Sequence, residues 1–259
     1  MPALPPLLLA LDTGSPVLSV ALARGGRLIA CRTAASARSS SLHLALLRDA
    51  LAEAGARPAD LAGVIALRGP GSFTGLRIGL ATALGFHQAL GVPATALDTL
   101  EVLAAQAAPA SPAVVVAVVD ALRGEWSARA FAVPPPGQAG ALPRPLGDMA
   151  LVAGGDLPAF SYAAAAAARG EVVIAGFGAG RLAALPGWPA ALRLADPAAL
   201  PPAGSLAAVA VRLASPADAW DPARLTAPIY SRPPAATPPP PREPAPAVAV
   251  PSGGPGGAA

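Results

Sequence analysis

The sequence predicts an α/β protein of two lobes, each a mixed sheet flanked by helices. Three observations lead there. Apolar runs of strand length, Leu7 to Leu11, Val17 to Leu22 and Arg27 to Arg32, are separated by turns of small residues and Gly25-Gly26, as in an antiparallel meander. A long apolar helical pattern from about Thr74 to Leu90 stops at Gly91, with Pro93 beyond it. From about Thr99 the helix and strand signals begin again, and a chain of 259 residues has room for two lobes with cores of their own.

The elements follow in order. After Leu7 to Leu11 comes the turn Asp12-Thr13-Gly14-Ser15-Pro16. A first helix is opened by the hydroxyls of Ser39-Ser40-Ser41 and closed by Gly55. Val64 to Leu67 is a short buried strand, and the helix to Leu90 follows it. Three strands, helix, strand, helix is the order of one lobe of the actin/Hsp70-like ATPase (ribonuclease H-like) superfamily. The second block has a helix from Thr99, strands at Val114 to Val119 and Trp126 to Val133, and an irregular insertion that Pro134 to Gly137 open. Strand Val172 to Ala175, the turn Gly176-Phe177-Gly178 and a helix from Ser205 to Leu213 complete it. The expected organisation is a first lobe over 1–98 and a second over 99–232, with the insertion at about 134–148. Residues 233–259 are Pro, Ala and Gly with almost no large apolar side chains, too little to offset ordering entropy, and are expected to form a disordered tail.

Composition narrows the function classes. Hydrophobic residues make up 54% and charged residues 13%, and with Lys absent all 18 cations are Arg. A net charge of +3 with scattered arginines argues only weakly for direct nucleic-acid binding, which usually shows clustered basic stripes. The single cysteine, Cys31, excludes an intrachain disulfide and fits a reducing cytoplasm. No basic residue precedes Leu7 to Leu11 and Asp12 ends it, so it is expected to be a strand and not a signal peptide, and no apolar run is long enough to span a bilayer. A cytoplasmic, membrane-free protein is the expectation.

The segment richest in information is Arg68-Gly69-Pro70-Gly71-Ser72-Phe73-Thr74-Gly75-Leu76-Arg77-Ile78-Gly79, between a buried strand and a helix. Gly69 and Gly71 permit positive φ, Pro70 fixes one angle between them, and Ser72 or Thr74 can cap the helix. Such a helix start makes a natural phosphate or carboxylate cradle; it serves equally as a rigid turn packed on small residues. It is not a Walker loop, having no Lys. Asp12, Thr13 and Gly14 sit where actin-like ATPases hold phosphate and magnesium, which makes them a possible vestigial phosphate loop, although a turn in which Asp12 accepts backbone N–H groups suffices. Asp120 with Arg123-Gly124-Glu125 admits the same two readings. His43 and His87 lie on different helices with no partner ligands near in sequence, so no metal and no other cofactor is expected. Ser72 stands in no Gly-x-Ser-x-Gly frame.

Arg68 to Gly79 closely resembles the hallmark segment of the TsaB (YeaZ) family. Leu9-Ala10-Leu11-Asp12-Thr13-Gly14 is similar to its first strand and Asp-Thr-Ser turn, with Gly14 for the usual Ser. Asp120-Ala121-Leu122-Arg123-Gly124-Glu125-Trp126 resembles its Asp-Ala-Arg-x-Gly-Glu stretch, and Pro228-Ile229-Tyr230-Ser231-Arg232 its closing Pro-x-Tyr-Leu-Arg. The likeness runs over about 7–232 and is thin from Pro134 to Ser205.

The resemblance implies an actin-like fold without independent catalysis. It implies a subunit that supports a TsaD-like transferase in placing threonylcarbamoyl on the adenine next to the tRNA anticodon. A TsaE-like ATPase would bind the pair, tRNA would be reached through the complex, and the chain alone would be a homodimer. The expected partner surface is the helix pair, from Leu44, Leu47 and Leu51 on one helix and Gly75, Leu76, Gly79, Leu80, Ala83, Leu84 and His87 on the other. The second helix is apolar nearly all round and so needs cover on two sides. The rival class is an actin-like kinase or ATPase acting alone on a small molecule, which would need a metal-binding carboxylate set and an adenine pocket.

Overall fold

The computed structural model describes residues 5–35, 42–107, 113–133, 143–168, 171–196, 205–214 and 220–232. Strand β1 (Leu7–Asp12) is buried at every position, because it lies between two neighbours with both faces covered. It pairs antiparallel with β2 (Val17–Arg24) and parallel with β4 (Leu61–Leu67). The tight turn Gly25-Gly26, at φ 56° and 77°, joins β2 to β3 (Arg27–Ala35) and pairs Arg24 with Arg27. With β5 (Ala94–Leu97) the first sheet runs β3-β2-β1-β4-β5, antiparallel on one side of β1 and parallel on the other. This is the sheet order of the actin-like lobe, and the predicted fold class holds.

Alternation along β1 divides the core. Leu7, Leu9 and Leu11 meet α1 (Leu42–Glu53) and α2 (Phe73–Leu90) through Leu46, Leu47, Ala50, Leu51, Leu80 and Ala83. Leu8 and Ala10 point the other way, into a core shared with Val115, Ala117 and Phe131 of the second sheet. That sheet runs β11 (Arg193–Ala195), β10 (Glu171–Ala175), β6 (Ala113–Asp120), β7 (Glu125–Ala132), β8 (Arg144–Pro145), with β9 (Ala150–Ala153) also on β7. Helix α3 (Thr99–Gln106) covers its inner face, and α4 (Leu157–Ala168) packs on β6 and β10.

Two expectations are corrected. Helix α5 (Leu206–Leu213) does not complete the second lobe. It lies across the first sheet, where Ala207 N donates to Ser19 Oγ at 3.1 Å, and Leu206 to Val211 are all buried. A helix buried on every side needs two covers, and the first sheet and α3 supply them. The turn Pro222–Thr226 also returns to the first lobe, with Leu225 in its core.

The second correction concerns the helix pair. Leu47, Leu51, Leu76, Leu80 and Ala83 are interior residues, committed to the chain's own core. Their spacing marks the face that covers the sheet, so they cannot form a partner surface. The outward residues are Leu44 at 53% exposure, together with Ala81 and Gly85, with Ile78, Leu84 and His87 half-buried.

Helix boundaries agree closely with the pattern. Gly91 ends α2 at φ 66° and Gly55 follows α1 at φ 58°. The serines expected to cap α1, most of the insertion, and 233–259 lie outside the described residues.

Candidate functional site

The site is built by the backbone of two turns. In the first, Asp12 Oδ1 accepts Gly14 N and Ser15 N, both at 3.2 Å, while Oδ2 is buried without a hydrogen bond. Burial pushes the Asp12 carboxyl up to about 6, against the opposing bonds from Ser15 and Gly14. The second turn is the loop after β4. Ser72 N donates to Gly14 O at 2.8 Å, Thr13 Oγ1 donates to Gly75 O at 2.7 Å, and Ser72 Oγ caps α2 by accepting Gly75 N at 3.3 Å. A Cβ on Gly75 would lie 2.1 Å from Thr13 O, and one on Gly79 2.3 Å from Thr13 Oγ1. The small residues Gly75 and Gly79 on α2 let the helix rest on the β1–β2 turn. Where the sequence allowed an anion cradle, amides of the loop are bonded to Gly14 and Ser72 of the chain itself.

Arg68 ties this loop to two other segments, the end of β5 with the residue after it and the closing segment. Its carbonyl accepts Ile229 N at 2.7 Å, its amide donates to Leu97 O at 3.0 Å, and its Nε donates to Asp98 Oδ1 at 2.6 Å. Gly69 takes φ 109°, and a Cβ there would meet Ile229 O at 2.2 Å, so only glycine lets the closing segment pass. Asp98 also receives Arg224 Nη2 at 3.2 Å and has Arg129 Nη1 at 3.9 Å. Glu101 beside it has its carboxyl raised by burial first and by Asp98 second. This hub was invisible in sequence, its members being spread from 68 to 224.

Tyr230 comes down beside Phe73, ring centroids 4.9 Å apart and tilted by 33°. Arg77 lays its guanidinium 3.9 Å from the Phe73 ring and donates through Nε to Tyr230 OH at 3.2 Å. Arg232 donates to Ala121 O at 2.6 Å and pairs with Glu125, joining the closing segment to the second lobe. In that lobe Asp120 Oδ1 accepts Leu122 N at 2.7 Å and Oδ2 accepts Arg181 Nη2 at 2.7 Å, so this turn too is satisfied within the chain. Leu122 and Arg123 both take positive φ, 65° and 58°.

The result is a cleft of about 610 Å³ between the lobes, lined by Gly14, Pro70, Phe73, Asp120, Leu122, Tyr230 and Arg232 among others. All four segments that carried the family resemblance meet at it. The histidines do not. His43 is buried on α1 with Nε2 3.2 Å from Thr82 Oγ1, and His87 Nδ1 donates to Val92 O at 2.7 Å. Among the described residues no group of three or more His, Cys, Asp or Glu could hold a metal, and no helix is long and apolar enough to cross a membrane.

Sheet order and the cleft define the class: a two-lobed protein of the actin/Hsp70-like ATPase fold. A family model for TsaD, tRNA N6-adenosine threonylcarbamoyltransferase, matches residues 32–130. The tRNA threonylcarbamoyladenosine biosynthesis protein TsaB of Bacillus subtilis is 31% identical over 119 residues, 46% of this chain and 52% of that protein. The match spans about half the length of the curated relatives. YeaZ from Pseudomonas aeruginosa superposes with a TM-score of 0.62 at 29% identity, covering 79% of this chain and 90% of that one. A structure described as an uncharacterized protein with similarity to peptidase YEAZ, from Pseudomonas aeruginosa, does so at 0.61 and 30%, with the same coverage. The chain belongs to the TsaB/YeaZ family.

Proposed function

We propose that the chain is the non-catalytic subunit that pairs with a TsaD-like transferase in forming N6-threonylcarbamoyladenosine next to the anticodon of tRNA. The observation that carries this reading is the mutual closure of the two turns. Ser72 N on Gly14 O and Thr13 Oγ1 on Gly75 O tie the β1–β2 turn to the loop before α2. Two turns that bond to each other in this way support a scaffold more than a nucleotide-binding site. The relatives' names support the pathway.

The partner surface is the outward side of α1 and α2, around Leu44, Ile78, Ala81 and Gly85. A Cβ added at Gly85 meets nothing within 4 Å, so a second helix has room to lie close there. A TsaE-like ATPase joins the pair, and in the absence of TsaD the same face forms a homodimer, which removes a contiguous apolar stripe from water.

The test is reconstitution. The full chain and a TsaD-like homologue carrying His-x-x-x-His are purified separately and together, then supplied with tRNA, activated threonylcarbamoyl donor and a TsaE-like ATPase. Modified adenosine should form only when both are present. The rival, an ATPase acting alone, predicts micromolar Mg-ATP binding by the isolated chain in calorimetry, abolished by Asp12→Ala; that result would overturn the scaffold reading.

A further inference from the structure

Two grooves meet at one hairpin. The inter-lobe cleft and a second groove of about 490 Å³ share Asp120 and Leu122, and the second is lined further by Arg123, Trp126, Gly155 and Arg181 among others. At the tip between them Leu122 and Arg123 take φ 65° and 58°, a conformation that side chains other than glycine avoid. Backbone of this kind clusters at ligand clamps and switches. Its effect here is to hold Leu122 at 71% exposure where the grooves join. Across the cleft, the first lobe presents Phe73 at 44% exposure, with Tyr230 of the closing segment beside it.

The charge along this track is positive. Asp120 is paired with Arg181 and Glu125 with Arg232, so neither carboxylate repels an anion freely. Arg77 stands beside the cleft on Phe73 and Tyr230, and Arg123 lines the second groove. Both are exposed, and among the described residues neither makes an ion pair. Arginines that are scattered in the sequence are thus set at the two ends of an apolar, aromatic mouth. Rings between cations suit a single strand of nucleic acid, whose bases stack while its phosphates pair with guanidinium groups. An acidic peptide would use the arginines but not the width. The cleft, at about 610 Å³, lies within the ~300–1,000 Å³ of pockets that enclose small ligands, enough for a base with its ribose.

We infer that the cleft mouth contacts RNA directly: an unpaired base enters between Phe73 with Tyr230 and Leu122, and the flanking phosphates lie on Arg77 and Arg123. The strand then crosses the hairpin tip from the cleft into the second groove. This inference deepens the proposed function, on which it rests in taking RNA as the strand.

The test uses the full chain alone, without a TsaD-like protein. Fluorescence anisotropy compares a labelled RNA hairpin carrying an unpaired loop with a fully paired RNA duplex of equal length. The hairpin should bind about 10-fold more tightly, because stacking needs an unpaired base. Its log affinity should fall with log salt at a slope of about −1.4, at ~0.7 for each of two phosphates, and Arg77→Gln or Arg123→Gln should each remove about half of that. Phe73→Ala and Leu122→Gly should each weaken hairpin binding by about 10-fold. Glycine suits the φ of position 122, so Leu122→Gly does not act by unfolding the chain, and circular dichroism confirms the fold of Phe73→Ala. No binding, equal binding of hairpin and duplex, or a hairpin affinity that either apolar variant leaves unchanged overturns the inference. If those two variants spare RNA binding but abolish pairing with the TsaD-like chain, the mouth is a protein surface and the inference falls. RNA binding that behaves as expected while reconstitution yields no modified adenosine sinks the proposed function and leaves the RNA contact standing.

Discussion

Arg68 Nε donates to Asp98 Oδ1 at 2.6 Å and, with Thr99 N on Gly69 O at 2.8 Å, fastens the loop after β4 to the start of α3. The same oxygen receives Arg224 from the returning segment, and Arg129 of the second sheet stands close by. Both partners are largely withdrawn from solvent, at 20% and 16% side-chain exposure. Asp98→Ala leaves clustered guanidinium groups without their acceptor and should destabilise the isolated chain by about 2–3 kcal/mol. That is a fall of roughly 5–10 °C in Tm for a chain of this size. A thermal melt within a degree of the unaltered chain would remove the hub from the account of how the lobes are joined.

Two glycines on one helix should respond in opposite directions. Gly75→Ala drives a methyl into Thr13 O, 2.1 Å away, and displaces the start of α2; overpacking of this kind costs about 1–3 kcal/mol. Gly85→Ala meets open space in the middle of the same helix and should stabilise it by about 0.5–1 kcal/mol. Urea unfolding of the two variants separates close packing from helix propensity, and equal signs would contradict the packing.

Asp12 makes stability depend on pH. Its folded carboxyl titrates at about 6 against 3.8 unfolded, so between those values the folded state holds the extra proton. Stability therefore falls as pH rises through that window and stays lower above it. The loss is on the order of 1–3 kcal/mol. In Asp12→Asn this decline should vanish, while the acceptor for Gly14 N and Ser15 N is kept. Parallel unfolding curves for the two proteins from pH 4.5 to 7.5 would show that the carboxyl is not the cause.

The helix pair offers a further contrast. Leu47 and Leu80, at 5% and 4% exposure, face the sheet, so Leu47→Asp and Leu80→Asp should each unfold the chain. Leu44→Asp and Ala81→Asp stand on the outward side and should leave the circular dichroism spectrum unchanged, with under about 0.5 kcal/mol lost. Under the proposed function they should also abolish association with the TsaD-like partner by size-exclusion chromatography. Folded Leu44→Asp and Ala81→Asp proteins that still bind would move the partner surface off these helices.

The sequence by itself determined those elements whose local pattern is strong. The β1–β2–β3 meander, with Gly25-Gly26 at its tight turn, and α2, with Ser72 before it and Gly91 after it, were legible because periodicity and turn chemistry are properties of neighbouring residues. The four motifs that meet at the cleft were legible singly. Elements without such a signal were not: β5 is Ala94-Thr95-Ala96-Leu97, too short to show alternation, and α4 is hidden in alanine, which has no apolar face to repeat.

Only the tertiary structure decided which side of an apolar helix is inside, since α2 has hydrophobic residues nearly all round and their spacing names no partner. It alone sent α5 and Pro222–Thr226 back to the first lobe, put Tyr230 on Phe73, and gathered Arg68, Arg129 and Arg224 around Asp98. The reason is physical. Local preference is fixed within a turn or two of chain, whereas these contacts join residues as far apart as Ser19 and Ala207, 188 positions, and they form only when burial of the whole core holds both ends in place.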